Sequence, residues 1–319
     1  MITYTLRQLE YFVATAEQSS VAGAAGVLNI SQPSVSNAII KLEEHFGVQL
    51  FVRHHAQGVS LTPLGRRILA DARSLLRHAG DLHQAARAAG DVTAGELELG
   101  CFITLAPLFM PALVTGFSKQ HSGVRISLHE GIQDDLVEGL RSGRFEQALL
   151  YDLDLPETIA RVPLSLFEPY VLLPEDHPLT RHSAVSLDAL KDEPLILLDV
   201  PPSRDYFTGL FNKAGLEPTV AFSSASLEMV RGLVGQGLGY SLLVTRPHGD
   251  HTYDGCRIEA RPLAHDAATS VICLAQLAQS RPTRLMEAFT VFCQAWFDRT
   301  FAREAHEPVG TMSRPGRRP

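Results

Sequence analysis

Between positions 31 and 41 the chain reads SQPSVSNAIIK, and five of the first seven residues carry short side chains that hydrogen-bond. Val35, Ile39, Leu42 and Phe46 recur at three- and four-residue spacing, which predicts a helix with one buried stripe. Ser31 stands where a cap belongs, Gln32 opens the helix, and Pro33 lies in the first turn, where a missing N–H does no harm. Ser34, Ser36, Asn37, Ile40 and Lys41 fall on the other faces. An amide such as Asn37 can pair with adenine, serine hydroxyls can meet several base edges, the tip of Ile40 can touch a thymine methyl, and Lys41 can meet phosphate. Taken alone, the same string also describes a solvated polar helix face, so the neighbouring elements decide.

Upstream, Thr5 and Gln8 form a capping box for a helix whose apolar face is expected to be Leu6, Leu9, Phe12, Val13 and Ala16. Ser20 caps a second helix, Val21 to Leu28, whose Ala- and Gly-rich sequence lets another helix approach closely. Asn29 and Ile30 form the turn to the third. This is the order of a helix-turn-helix. Downstream, VQLFVRHHAQGVSLT holds two β-type runs around a turn with Gly58, a hairpin wing that places Arg53 near phosphate or the minor groove. His54 and His55 are read as solvated rather than as metal ligands. Thr62 and Pro63 then start a helix unbroken to about residue 90, roughly 42 Å long. Ile68, Leu75 and Leu82 recur every seven residues with Ala72, Ala79 and Ala86 between them. Such a seam predicts pairing with a second copy of the chain.

Composition bounds the rest. At 319 residues, with 45% hydrophobic and 20% charged residues, several globular domains are expected. Arg7 and Glu10 interrupt any secretory leader, and no run approaches about 18 apolar residues, so a cytoplasmic protein without membrane contact is expected. Residues 1–90 hold eight Lys or Arg against six Asp or Glu, and the remainder 20 against 29. A slightly basic head on an acidic body fits local DNA contact better than a general electrostatic coat. Cys101, Cys256, Cys273 and Cys293 show no paired spacing; the three in apolar surroundings, Cys101, Cys273 and Cys293, read as inert thiols, and a redox pair of Cys256 with another thiol is the alternative. No cofactor is expected: GQGLG at 235–239 ends a helix instead of opening one, and neither a G-x-S-x-G elbow nor a Walker motif occurs. The thirteen histidines are scattered, and no metal site is expected; His248 and His251 flank Asp250 without a third ligand at a suitable spacing.

LRQLEYFVATAE, AAGVLNISQPSVSNAIIKLEEHFGVQLFVRHHAQGVSLTPLG and their order resemble the DNA-binding region of LysR-type transcriptional regulators over nearly its whole length. Asn37, Ala38 and Ile40 depart from it, standing where many members carry longer polar or basic side chains. The resemblance implies an N-terminal winged helix-turn-helix (1–62), a dimerisation helix (63–90), and a C-terminal α/β two-lobed effector domain like type 2 periplasmic binding proteins (91–302). It further implies a homodimer or homotetramer on double-stranded promoter DNA, and contact with RNA polymerase if the protein activates transcription.

After a polar linker at 91–95 the chain alternates strand and helix, which predicts a mostly parallel sheet covered on both faces. Lobe I is expected at about 95–165 and 269–302, lobe II at about 166–268, and a disordered tail at 303–319. Ligands in such folds bind outside the carboxyl ends of strands. Those ends supply Thr104, Glu130, Asp152, Ser203, Arg204 and Ser224. Where the turns open helices, free N–H groups and hydroxyls favour an anion, so a small carboxylate is the expected effector. Glu130 and Asp152 could instead accept a basic or hydroxylated group, and Thr104 and Ser203 could be simple helix caps. A constitutive DNA-binding factor with an unused cleft remains the alternative, ahead of an enzyme or an exported binding protein.

Overall fold

The computed structural model describes residues 3–54, 58–87, 94–264 and 269–301, without the side chains of 84–87. Three helices open the chain: α1 (Leu6–Gln18), α2 (Val21–Leu28) and α3 (Gln32–Phe46). Each begins where a hydroxyl takes up a free amide. Gln8 N–H donates to Thr5 within a complete capping box, Gly23 N–H to Ser20, and Ser34 N–H to Ser31. Leu9, Phe12, Ala24, Ala25, Val35, Ile39, Leu42 and Leu50 close one small core. The buried face of α1 is rotated from the expected one: Leu6 is exposed, while Tyr11, Ala14 and Thr15 are buried. Thr15 can sit inside because its hydroxyl donates to the Tyr11 carbonyl at 2.8 Å.

The wing is an antiparallel hairpin of β1 (Phe51–His54) and β2 (Gly58–Leu61). Val59 N–H donates to Ser19 O at 2.9 Å, and Gly58 passes so near that a Cβ would lie 2.4 Å from that oxygen. With φ at +88°, this position needs glycine twice over. Glu43 of α3 fixes the other end, accepting the N–H groups of Leu50 (2.8 Å) and Phe51 (3.2 Å). Helix α4 (Pro63–Arg87) follows, its first turn capped by Thr62 (2.9 Å to Gly65 N), and runs about 37 Å.

The remaining chain forms β3 (Ala94–Phe102), α5 (Ala106–Gln120), β4 (Gly123–Gly131), α6 (Gln133–Arg141), β5 (Gln147–Tyr151), β6 (Ile159–Phe167), β7 (Tyr170–Pro174) and β8 (Pro194–Leu198). It continues through α7 (Ser203–Lys213), β9 (Thr219–Ser224), α8 (Leu227–Gly235), β10 (Ser241–Leu243), β11 (Ile258–Pro262), β12 (Ser270–Leu277) and α9 (Arg284–Phe301). Strand β3 starts at Ala94, inside the stretch expected to be linker. The first lobe is a five-stranded sheet in the order β4-β3-β5-β12-β6. It is mostly parallel, as expected: β4, β3, β5 and β6 run the same way, and β12 alone is antiparallel to its neighbours. The chain leaves this lobe after β6 and re-enters through β12, whose return direction reverses the pairing. In the second lobe β7 pairs antiparallel with β10 and β11, while β8 and β9 run parallel. Ile196 N–H to Tyr240 O (2.8 Å) joins the two sets.

The stretches expected as strand through 175–179 and as helix at 186–193 contain only 3-10 turns, Pro178–Arg181 and Asp188–Leu190. Phe109, Phe117, Phe289, Phe292 and Phe297 pack α5 against α9 in the sensor core. The tail at 303–319 lies outside the described residues.

Candidate nucleic-acid interface and ligand cleft

On α3 and its cap, Ser31, Gln32, Pro33, Ser34, Asn37, Ile40 and Lys41 are exposed, whereas Ser36 is half-buried. Val35, Ile39 and Leu42 turn inward, so packing alone presents the polar residues to solvent. Ser31 and Ser34 hydroxyls lie 2.7 Å apart and partly satisfy each other. Arg53 is exposed on β1, and Arg66 and Arg67, which sequence reasoning did not single out, are exposed at the start of α4. Arg66 donates to the Leu61 carbonyl at 3.2 Å, which ties it to the wing's base. His54 bonds Ser60 at 2.7 Å; His55 lies outside the described residues.

The seam on α4 divides in two. Ala72 is buried in the head's own core and so leaves the expected seam, while Ile68 packs against that core and stays half-buried. Their spacing is heptad-like because α1 lies along that half of α4. Further on, Leu75 (42% exposed) and Leu82 (73% exposed) have no such cover. Ala79 is half-buried, and the side chain of Ala86 lies outside the described residues.

A cleft of about 330 Å³, counting the part open to solvent, lies between the lobes. Thr104, Tyr151, Leu153 and Ser270 line it from the first lobe, and Leu198, Ser203, Tyr206, Phe207 and Leu227 from the second; Leu243, Val244 and Thr245 complete it. Of the six expected residues, only Thr104 and Ser203 line the cleft. Neither caps its helix: the cap positions before α5 and α7 are Leu105 and Pro202, without a side-chain cap bond. Asp152 turns to Arg161 (3.5 Å), and Arg204 forms an ion pair with Asp199, so their charges meet inside the lobes' own surfaces. Glu130 is exposed at the end of β4, and the Ser224 hydroxyl accepts Ser226 N–H (3.2 Å).

Sequence reasoning missed Thr245 and Ser270; Tyr151 stands beside Asp152 at the strand end. Tyr151 bonds Thr245 Oγ1 (3.2 Å) and Thr104, and burial pushes its phenol up to about 12. It therefore stays protonated and can donate. Ser270 is 1% exposed, and its hydroxyl has no partner among the described residues. No charged side chain lines the cleft among these residues. Burial also pushes the thiols of Cys101, Cys273 and Cys293 up, which disfavours thiolate; Cys256 is half-buried beside Asp254 (Sγ to Oδ2, 3.9 Å). No helix among the described residues is long and apolar enough to cross a membrane.

Two family profiles match this chain. Residues 6–66 match "Bacterial regulatory helix-turn-helix protein, lysR family", and residues 90–298 match "LysR substrate binding domain". The DNA-binding transcriptional dual regulator OxyR of Escherichia coli is 32% identical over 240 residues, 75% of this chain and 78% of that protein. HinK, a LysR family transcriptional regulator from Pseudomonas aeruginosa, is 48% identical, with TM-score 0.64 over 92% of this chain and 99% of HinK. Full-length CbnR, solved with its target DNA, is 26% identical, with TM-score 0.55 over 92% of this chain and 99% of CbnR. The chain belongs to the LysR family of transcriptional regulators, with a helix-turn-helix DNA-binding head and an effector-binding domain.

Proposed function

We propose that the chain is a sequence-specific regulator whose DNA affinity is set by a small carboxylate held between the lobes. The observation that carries the ligand side is Ser270, a buried hydroxyl with no partner among the described residues, in a wall whose polar groups also include Thr104, Tyr151, Ser203 and Thr245. A buried hydroxyl left unpaired is costly, and a ligand oxygen would relieve it. At the starts of α5 and α7, which lack side-chain caps, the N–H groups of Ala106, Ser203 and Asp205 have no acceptor among the described residues, while those of Leu108 and Arg204 already donate to the Leu105 and Val200 carbonyls. The three open N–H groups can help hold a carboxylate without a cationic side chain. The apolar remainder of the wall suits a hydrocarbon body.

On the DNA side, Asn37, Ser34, Ser36 and Ile40 read base edges, while Lys41 and Arg53 meet phosphate, with Ser31, Gln32 and Pro33 at the helix start. Leu75 and Leu82, with Ala79 beside them, pair two α4 helices into a dimer. Edge strands β4 and β9, with Leu128, Val220 and Phe222 exposed, offer a second contact by which dimers form tetramers. RNA polymerase is the further partner if regulation is positive.

A gel shift on the upstream intergenic DNA of its own gene tests the DNA half: a discrete complex should survive excess nonspecific competitor. Thermal-shift screening of small carboxylates tests the ligand half, since a ligand at 100 times its Kd stabilises by about 2.7 kcal/mol. A panel without any shift, beside a sound DNA complex, would favour constitutive binding.

A further inference from the structure

Helix α4 crosses lobe I beside a cluster of charged groups. Arg73 donates through Nη1 to the Ser142 carbonyl (2.8 Å) and through Nη2 to Glu17 of α1 (2.9 Å). One turn on, Arg77 donates through Nη1 to the Gly143 carbonyl (3.1 Å) and pairs through Nε with Glu146 (2.9 Å), whose side chain is 3% exposed. Asp81, a further turn along, accepts the N–H of Arg284 at the start of α9 (3.2 Å). These residues stand four apart, so one face of α4 grips the lobe. Arg73 simultaneously holds the DNA-binding head through Glu17. The apolar cores of head and sensor are separate clusters, which leaves polar contacts a large share of the join.

The gripped turn is also tied to the cleft. Glu146 immediately precedes β5, whose five residues are all buried and which ends at Tyr151 in the cleft wall. Its own N–H donates to Glu98 O on β3 (3.1 Å), and β3 ends two residues before Thr104. Strand β5 thus has the clamp at its start and a cleft residue at its end, about 16 Å apart, and β3 runs from the Glu98 contact at its middle to within two residues of Thr104.

We propose that Arg73 and Arg77 are positioning residues that clamp the DNA-binding head to the 142–146 turn, so that head and cleft sense each other's occupancy. The cleft side of this coupling rests on the ligand site proposed above; the DNA side does not. Glu146 faces Arg77, His78 and Asp81 from α4 and Glu98 from β3, and Glu98 is itself paired with His129 of β4 (2.7 Å). Burial pushes the Glu146 carboxyl up to about 7, against the pull of Arg77. The ion pair is therefore close to its tipping point at neutral pH.

The test is hydrogen exchange on the full chain with and without a 30-bp random-sequence duplex at low salt, where backbone contacts alone give binding. DNA should slow exchange in α3 and the wing, and should slow it at least threefold in the 142–146 turn. In the Arg73→Ala/Arg77→Ala protein the first effect should persist and the second vanish, with β12 and α9 exchanging as before. Should that double variant fold poorly, Glu146→Gln, which keeps the shape of the side chain, should weaken the same transmission. Protection of α3 without any change in the turn of the unaltered protein would overturn the clamp. So would transmission that survives loss of both arginines. DNA that protects nothing would refute DNA binding by the head, and with it any signal for the clamp to carry.

Discussion

Removing the hydroxyl of Ser270 should stabilise the ligand-free protein while weakening its response to ligand. The Oγ is buried with no partner among the described residues, a state that costs about 1–3 kcal/mol. Ser270→Ala removes that cost and forfeits a few van der Waals contacts of about 0.1–0.2 kcal/mol each. A net gain of about 1 kcal/mol remains, which for a unit the size of the sensor raises Tm by about 2–4 °C. The ligand effect has the opposite sign. If one hydrogen bond accounts for a tenfold change in Kd, a carboxylate at 100 times the original Kd sits at only ten times the new one. Its stabilisation then falls from about 2.7 to about 1.4 kcal/mol. Calorimetric unfolding of both proteins, without ligand and with a carboxylate found by screening, measures both quantities. A ligand-free variant destabilised by more than 1 kcal/mol would show that the hydroxyl is already satisfied. An undiminished ligand shift would remove Ser270 from the site.

Asn37→Ala should lower affinity for the operator by about 1–3 kcal/mol while leaving random DNA unaffected, as filter binding on both duplexes would show; equal loss on both would end its base-reading role. Arg53→Ala should weaken binding to every sequence and reduce the log–log salt slope by about 0.9, one phosphate contact. Leu75→Glu should convert the oligomer to smaller species in sedimentation, because it sets a charge in the uncovered half of α4; an unchanged sedimentation coefficient would contradict the pairing. Glu146 has a carboxyl raised from 4.5 to about 7, so the folded chain holds a proton that the unfolded chain releases. Its contribution to stability is full below about pH 4.5 and declines, on the order of 3 kcal/mol, as pH rises to about 7. Glu146→Gln should flatten that slope in urea unfolding at pH 5 and 7.5, and identical slopes would show that the carboxyl is not buried as described.

The head was largely legible because its signals are local. Thr5, Ser20, Ser31 and Thr62 each cap the helix they precede, and capping depends only on residues three apart. Sidedness was harder. Leu6 and Tyr11 exchange burial with respect to expectation because the neighbours of α1 include α4, some fifty residues away. A heptad on α4 cannot say whose core it faces: Ile68 and Ala72 face their own head, and Leu75 and Leu82 remain open. In the sensor, strand ends gave Thr104 and Ser203 but misled at β5, where charge drew attention to Asp152. Adjacent residues of a strand point to opposite faces, and it is Tyr151 that enters the cleft while Asp152 meets Arg161. Ser270 went unseen because its signal is the absence of a partner among the described residues, which no linear pattern encodes.

A last consequence follows from the division of α4 among three tasks: packing on α1, gripping the 142–146 turn, and the proposed pairing with a second copy through Leu75 and Leu82. A ligand that moves the clamp changes the pose of the head within one chain, whereas a ligand that changes assembly acts through the exposed half. Thermodynamic linkage separates the two routes. If the ligand tightens DNA binding tenfold through the clamp, DNA must tighten ligand binding tenfold, whatever the protein concentration. If it acts through assembly, both factors drift with concentration, because mass action then shares the free energy with subunit association. Calorimetric titration of the ligand with and without operator, and of operator with and without the ligand, at two protein concentrations a hundredfold apart, gives both factors. Equal and concentration-independent factors require the clamp route, and factors that converge to one at high concentration exclude it.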